Sequence, residues 1–144
     1  MNKVAVQRRI LIIVTGIVLL AVILMIAIIP GVLHDTFPGA VPKRASKAIL
    51  VMIILHLPVL LGFLNAIMVN KHGGKVKNVV YISLGIVLLF LGLVLSDGAF
   101  ASLAHHMLFV SILWFISVIC DIVASLITFT AIFLKPKNVN PKDL

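Results

Sequence analysis

Four long apolar stretches, separated by short polar segments, follow one another along this chain. Each stretch is long enough for a helix that crosses the hydrocarbon core of a bilayer, which takes roughly 20 residues. The pattern therefore predicts an all-α integral membrane protein, built as one membrane domain over 1–144. The predicted spans are approximately 10–29, 48–69, 79–95 and 103–134.

The polar segments between the apolar stretches contain residues that interrupt helices. The segment from Pro30 to Ser46 holds three prolines and two glycines, and the segment 70–78 holds a pair of adjacent glycines. We therefore expect neither segment to be one continuous helix. Because short connections make consecutive helices antiparallel neighbours, the simplest architecture is an up-down-up-down four-helix bundle.

The composition agrees with a membrane protein and excludes other classes. Apolar residues make up 62% of the chain and charged residues 11%, with a mean hydropathy of +1.29. A water-soluble domain is roughly 45–50% apolar and about 25% charged. A soluble fold of 144 residues has too little interior for so much apolar surface, which excludes a water-soluble enzyme or transcription factor.

The charges are few and mostly basic, and they stand at the ends of the apolar stretches. Twelve Lys and Arg accompany four acids, all of them Asp, for a net charge of +8. This distribution is typical of membrane topology, so we expect a lipid bilayer and no nucleic acid as the partner. Nine basic residues lie in the N-terminal segment, the second loop and the tail, against three in the first loop. The excess predicts a cell-membrane protein with both termini in the cytoplasm.

His56 is the first candidate for chemistry, because it lies in the middle of the second apolar stretch, two residues before Pro58. A neutral imidazole fits a dry site and is the common ligand of haem iron. The plainer interpretation is a histidine hydrogen-bonded to a neighbouring helix.

Counting residues from the outer end of each helix suggests a partner for His56. His56 follows Lys47 by nine residues, and His106 follows Asp97 by nine residues. If those ends are level, the two histidines lie at one depth, as haem held between two helices requires. His105 points nearly opposite on the helix, so His106 is the better inward candidate.

Counting from the inner ends suggests a different partner. His56 lies 15 residues before Lys71, and Asp121 lies 14 residues before Lys135, which makes His56 and Asp121 level. The two counts disagree because the fourth apolar run, about 35 residues, exceeds the ~20 that span a bilayer. Asp121 is a candidate proton relay, or an acceptor that orients His56.

Five residues of the fourth helix share one stripe at the helical repeat. This stripe is interpreted either as a polar seam that joins helices or as a functional pathway. Gly85 and Gly92 on the third helix favour close helix packing. Separately, His34 beside Asp35 in the outer loop is a candidate for covering a site at the outer face. The stripe consists of Trp114, Ser117, Asp121, Ser125 and Thr128.

The placement of histidines resembles one four-helix half of the haem A synthases, including their compact single-half form, and b-type cytochrome membrane subunits. The similarity covers roughly residues 10 to 130. It rests on the segment 56–62 (HLPVLLG), a glycine-containing third helix and a histidine at the head of the fourth. The family pattern Glu-x-x-His-Arg would need Glu and Arg where this chain has Ile53 and Leu57, and the outer-loop cysteine pair of part of the family is absent.

Three hypotheses of function follow. The first is haem b bound between His56 and His106, for electron transfer or for haem handling in a respiratory chain, with a homo-oligomer or an oxidase complex as partner. His34, His105 and Asp121 are then supporting groups or proton relays. The second is an accessory or structural membrane protein, viral ones included, without a cofactor. The third is a proton- or ion-conducting bundle that uses Asp121.

Overall fold

The computed structural model describes residues 3–34, 41–104 and 108–133, and these form helices joined by one described turn. All four helices contain a segment long and apolar enough to cross a membrane. The all-α fold predicted from the hydropathy pattern is confirmed. The helices are α1 (Lys3–His34), α2 (Val41–Lys71), α3 (Asn78–Ala104) and α4 (Leu108–Phe133).

The four helices form a bundle in which α4 packs closely against both α1 and α3, and α1 also packs against α2. The pair α2 and α3 is the least closely packed of the neighbouring pairs. Near the start of α1, Gln7 Nε2 donates a hydrogen bond to the Ala131 carbonyl near the end of α4, over 3.2 Å. We call this end of the bundle, which also carries the α2–α3 turn, the terminal side.

Large apolar side chains lie on both the inside and the outside of the bundle, as a lipid environment requires. The interior contains fully buried residues such as Val18, Phe63 and Leu88. The outer surface exposes others, including Leu61 at 66% and Phe90 at 64%. Water would penalise such an exposed surface, whereas lipid chains solvate it. The chain is therefore described as an integral, multi-pass membrane protein.

The boundary between α3 and α4 lies later than predicted. α3 continues through Asp97 and Gly98 to Ala104, and α4 begins at Leu108. The apolar run interpreted as one fourth helix is thus shared between two helices. The Asp-Gly pair looks like a turn in the sequence, but a Cβ at Gly98 would overlap the Trp114 ring. Gly98 therefore allows α4 to approach α3 and does not end the helix.

The loop between α1 and α2 is shorter than the predicted segment 30–46. α1 passes through Pro30 and ends at His34, and α2 begins at Val41. Pro42 lies in the first turn of α2, where an N–H group has no partner within the helix and its absence costs nothing.

Candidate functional site

His56 and Asp121 meet in the interior of the bundle. The Nε2 atom of His56 lies 3.0 Å from Oδ2 of Asp121, and both side chains are 0% exposed. His56 lies on α2 and Asp121 on α4, so the contact crosses the bundle between helices that are not packed neighbours. The contact confirms the level obtained by counting from the inner ends of the helices. Asp97, the reference point of the outer count, lies inside α3 and not at the end of that helix.

The second ring nitrogen of His56 fixes the number of protons on the pair. Nδ1 lies 2.7 Å from the Met52 carbonyl, which only accepts hydrogen bonds, so Nδ1 carries a proton. The contact between Nε2 and Oδ2 then needs one further proton, held either by the carboxyl of Asp121 or by the imidazole of His56. In both forms the pair has no net charge, which suits the low dielectric of the membrane interior.

The carboxyl of Asp121 has one oxygen in use and one free. Among the described residues, Oδ1 has no hydrogen-bond partner although it is buried. The α3 backbone comes close to the Asp121 side chain at Gly92. A Cβ built at Gly92 would lie 3.3 Å from the Asp121 Cβ. The backbone of α3 thus limits how far Asp121 can move, and Oδ1 is the oxygen of the pair that has no partner among the described residues.

The five residues of the predicted α4 stripe are all buried, which confirms their common inward face. Their hydroxyl groups donate to backbone carbonyls. Ser125 bonds Gly85 of α3 over 2.7 Å, and Ser117 lies 3.4 Å from the carbonyl of Ala21 on α1. Thr128 bonds a carbonyl of its own helix. These contacts favour the interpretation as a seam that joins helices, because each hydroxyl proton is already used.

The close packing predicted for the third helix is also present. A Cβ at Gly85 would lie 2.8 Å from ring atoms of Phe129. Gly85 and Gly92 therefore let α4 side chains approach the α3 backbone.

Asn70 and Tyr81 are a pair of buried polar residues that the sequence analysis missed. Asn70, 4% exposed, and Tyr81, 0% exposed, lie close together at the terminal side between α2 and α3. The Asn70 side-chain amide and the Tyr81 hydroxyl make no hydrogen bond of good geometry within the described part of the chain. Asn70 directly follows the predicted span 48–69, and Tyr81 is the one tyrosine of the chain. These two features of the sequence could have pointed to them.

Several predicted site residues lie outside the described residues. His105 and His106 fall between α3 and α4, and for His34 the structure describes the backbone as the end of α1. Leu108, at the start of α4, precedes Asp121 by 13 residues. This separation is a rise of about 20 Å along the helix. The pairing of His56 with His106 on one iron stays a prediction.

The surroundings of His56 do not fit an iron ligand as they stand. Haem iron needs a ring nitrogen with a free electron pair, and both nitrogens of His56 are engaged, one by Met52 and one by Asp121. Over the described ranges, no group of three or more His, Cys, Asp or Glu side chains is placed to hold a metal ion.

Comparison with known proteins adds no relative to this picture. No family model, no curated protein and no solved structure matches the chain. Its class therefore rests on the fold and on the His56–Asp121 contact. The chain is a four-helix integral membrane protein with an ionisable pair buried in its interior.

Proposed function

We propose that this membrane protein takes up and releases a proton at the His56–Asp121 pair. The observation that supports the proposal is the 3.0 Å contact between the imidazole of His56 and the carboxyl of Asp121, two fully buried ionisable side chains. Ionisable residues inside a membrane span are costly, and proton relays are among the functions that retain them.

The Asp121 oxygen without a partner is the atom at which the proton is exchanged. Nδ1 of His56 is committed to a backbone carbonyl, which cannot pass a proton on. Exchange therefore takes place at Oδ1 of Asp121. A pair with one open atom stores a proton that enters and leaves by the same route, and does not form a continuous wire across the bilayer.

Loss or gain of the proton would change the attachment of α2. Removing the shared proton leaves a net negative charge and two electron pairs facing each other, and a second proton leaves a net positive charge. Within the described ranges, the His56–Asp121 contact is the one side-chain hydrogen bond between α2 and another helix. Protonation is therefore coupled to how firmly α2 is held against the bundle.

Infrared spectroscopy of the purified full chain tests this proposal directly. The chain has four carboxyl side chains, all Asp, so the C=O band of a protonated acid can be assigned by single Asp→Asn variants. We expect a protonated-acid band that changes with pH and that is lost in Asp121→Asn. The matched control, Asp97→Asn, removes an exposed carboxyl and leaves that band unchanged.

Two results would overturn the proposal. A carboxyl band of Asp121 that does not change at any pH at which the protein stays folded would make the pair a fixed interhelical bond in an accessory or structural protein. A reduced-minus-oxidised visible spectrum of b-type haem, lost in His56→Ala and in His106→Ala but kept in His72→Ala, would instead establish the haem hypothesis.

A further inference from the structure

The turn between α2 and α3, at the terminal side, is closed by backbone hydrogen bonds. Gly73 adopts a φ of 78°, and the Gly74 N–H donates to the Val69 carbonyl over 2.9 Å, which closes the end of α2. A Cβ at Gly74 would lie 2.8 Å from a Val69 methyl group, so glycine is needed there. The Met68 carbonyl at the helix end accepts the His72 backbone N–H and also lies 2.8 Å from His72 Nδ1.

The turn presents lysine side chains to the surroundings. Lys71, Lys75 and Lys77 are exposed, while Val76 between the last two is half-buried and anchors the segment. Arg8 and Arg9 near the start of α1 are exposed at the same end of the bundle.

The acids of the described ranges lie elsewhere. Asp121 is buried in the interior and Asp97 lies on the part of α3 that is distant from the turn. The described surface of the terminal side therefore carries positive charge that no acid of these ranges balances, and this charge lies at the ends of the apolar spans.

Unpaired polar atoms lie directly behind the turn. The Asn70 amide and the Tyr81 hydroxyl are buried between α2 and α3 and lack good hydrogen bonds among described residues. They sit in the most loosely packed neighbouring pair of helices. A buried donor without an acceptor is costly, so a ligand oxygen that enters between these helices would be stabilised.

We propose that the α2–α3 turn binds the headgroup of an anionic phospholipid. The lysines attract the charged headgroup, and Asn70 and Tyr81 donate hydrogen bonds to its phosphate or ester oxygens. This proposal does not depend on proton exchange at His56 and Asp121. A neutral lipid lacks the charge that the lysines select, and free phosphate lacks the acyl chains that hold the headgroup beside the helices.

Lipid retention by the full chain tests the proposal. The purified protein is equilibrated with mixed micelles that contain phosphatidylglycerol or phosphatidylcholine, and the bound lipid is measured by native mass spectrometry. We expect retention of phosphatidylglycerol above phosphatidylcholine. Lys75→Gln should weaken phosphatidylglycerol binding by about fivefold, and the triple change of Lys71, Lys75 and Lys77 to Gln by about 100-fold. The matched control, Lys47→Gln, alters an exposed lysine at the other end of α2 and should change nothing.

The polar atoms are tested separately. Tyr81→Phe keeps the ring and removes the hydroxyl, and we expect it to lower phosphatidylglycerol retention while leaving the helix content unchanged. Equal retention of the two lipids, or an equal effect of Lys47→Gln and Lys75→Gln, would overturn the proposal. Displacement of bound phosphatidylglycerol by an equal concentration of inorganic phosphate would show a site for free anions and would overturn the lipid assignment.

Discussion

A double-mutant cycle on His56 and Asp121 measures the contact on which the proposed function depends. Asp121→Leu leaves Nε2 of His56 without its partner, and an unsatisfied buried group costs about 1–3 kcal/mol. His56→Leu leaves both oxygens of Asp121 unpaired, because Oδ1 already lacks a partner. We therefore expect His56→Leu to destabilise the protein more, by about 3–5 kcal/mol if the carboxyl is charged once the imidazole is gone.

The double variant separates the contact from the cost of each deletion. Side-chain hydrogen bonds between membrane helices average about 0.6 kcal/mol and reach about 1.7 kcal/mol. For a fully buried pair we expect a coupling energy near the upper end, about 1–2 kcal/mol. Asp121→Asn retains a side-chain amide that can donate to Nε2, so its loss of stability should stay below about 1 kcal/mol.

The assay is equilibrium unfolding in mixtures of a mild detergent and dodecyl sulfate, followed by tryptophan fluorescence. Trp114 is the one tryptophan, and its ring packs on Gly98, so its emission reports the contact between α3 and α4. The control is His72→Leu, which removes an exposed histidine with a similar bond to the carbonyl four residues earlier. A coupling energy within about 0.3 kcal/mol of zero would refute the reasoning, because independent sites add to that precision.

The remaining predictions concern packing and the turn. Gly98→Ala should lower the free energy of unfolding by about 1–3 kcal/mol, since the new methyl group overlaps the Trp114 ring; the fluorescence assay measures it, and an unchanged stability would contradict the packing. Ser125→Ala should cost about 0.6–1.7 kcal/mol by the same assay through loss of the bond to Gly85, and no change would mean that this bond is not formed. Gly74→Ala should loosen the α2–α3 turn and speed its proteolytic cleavage, whereas an unchanged cleavage rate would contradict the close contact with the end of α2.

The number and type of the helices could be predicted because the apolar stretches have the length that a bilayer imposes. The end of α3 could not be predicted, because the pair Asp97-Gly98 reads the same in the sequence whether it lies in a turn or inside a packed helix. Tertiary contact with Trp114 decides between the two, and that contact has no local signal.

The candidate site was predictable in part for a similar physical reason. Counting along a helix gives depth, since each residue rises about 1.5 Å. The inner ends put His56 level with Asp121, which the structure shows in contact, but the outer ends put it level with His106, and the sequence does not choose between them. Depth does not show which helices lie next to one another. The proximity of Asn70 and Tyr81, which depends on how α2 and α3 pack, was therefore outside the reach of the sequence.

The position of the two partners along the chain has a consequence for biosynthesis. Because α2 precedes α4 in the chain, the ribosome makes His56 before its partner Asp121. His56 therefore lacks this partner while α3 is being synthesised. An imidazole can do so as a neutral molecule, with Nδ1 bonded within its own helix. Asp121 arrives with the helix that also joins α1 and α3. The carboxyl thus follows its partner into the bilayer, on the helix that packs against both α1 and α3.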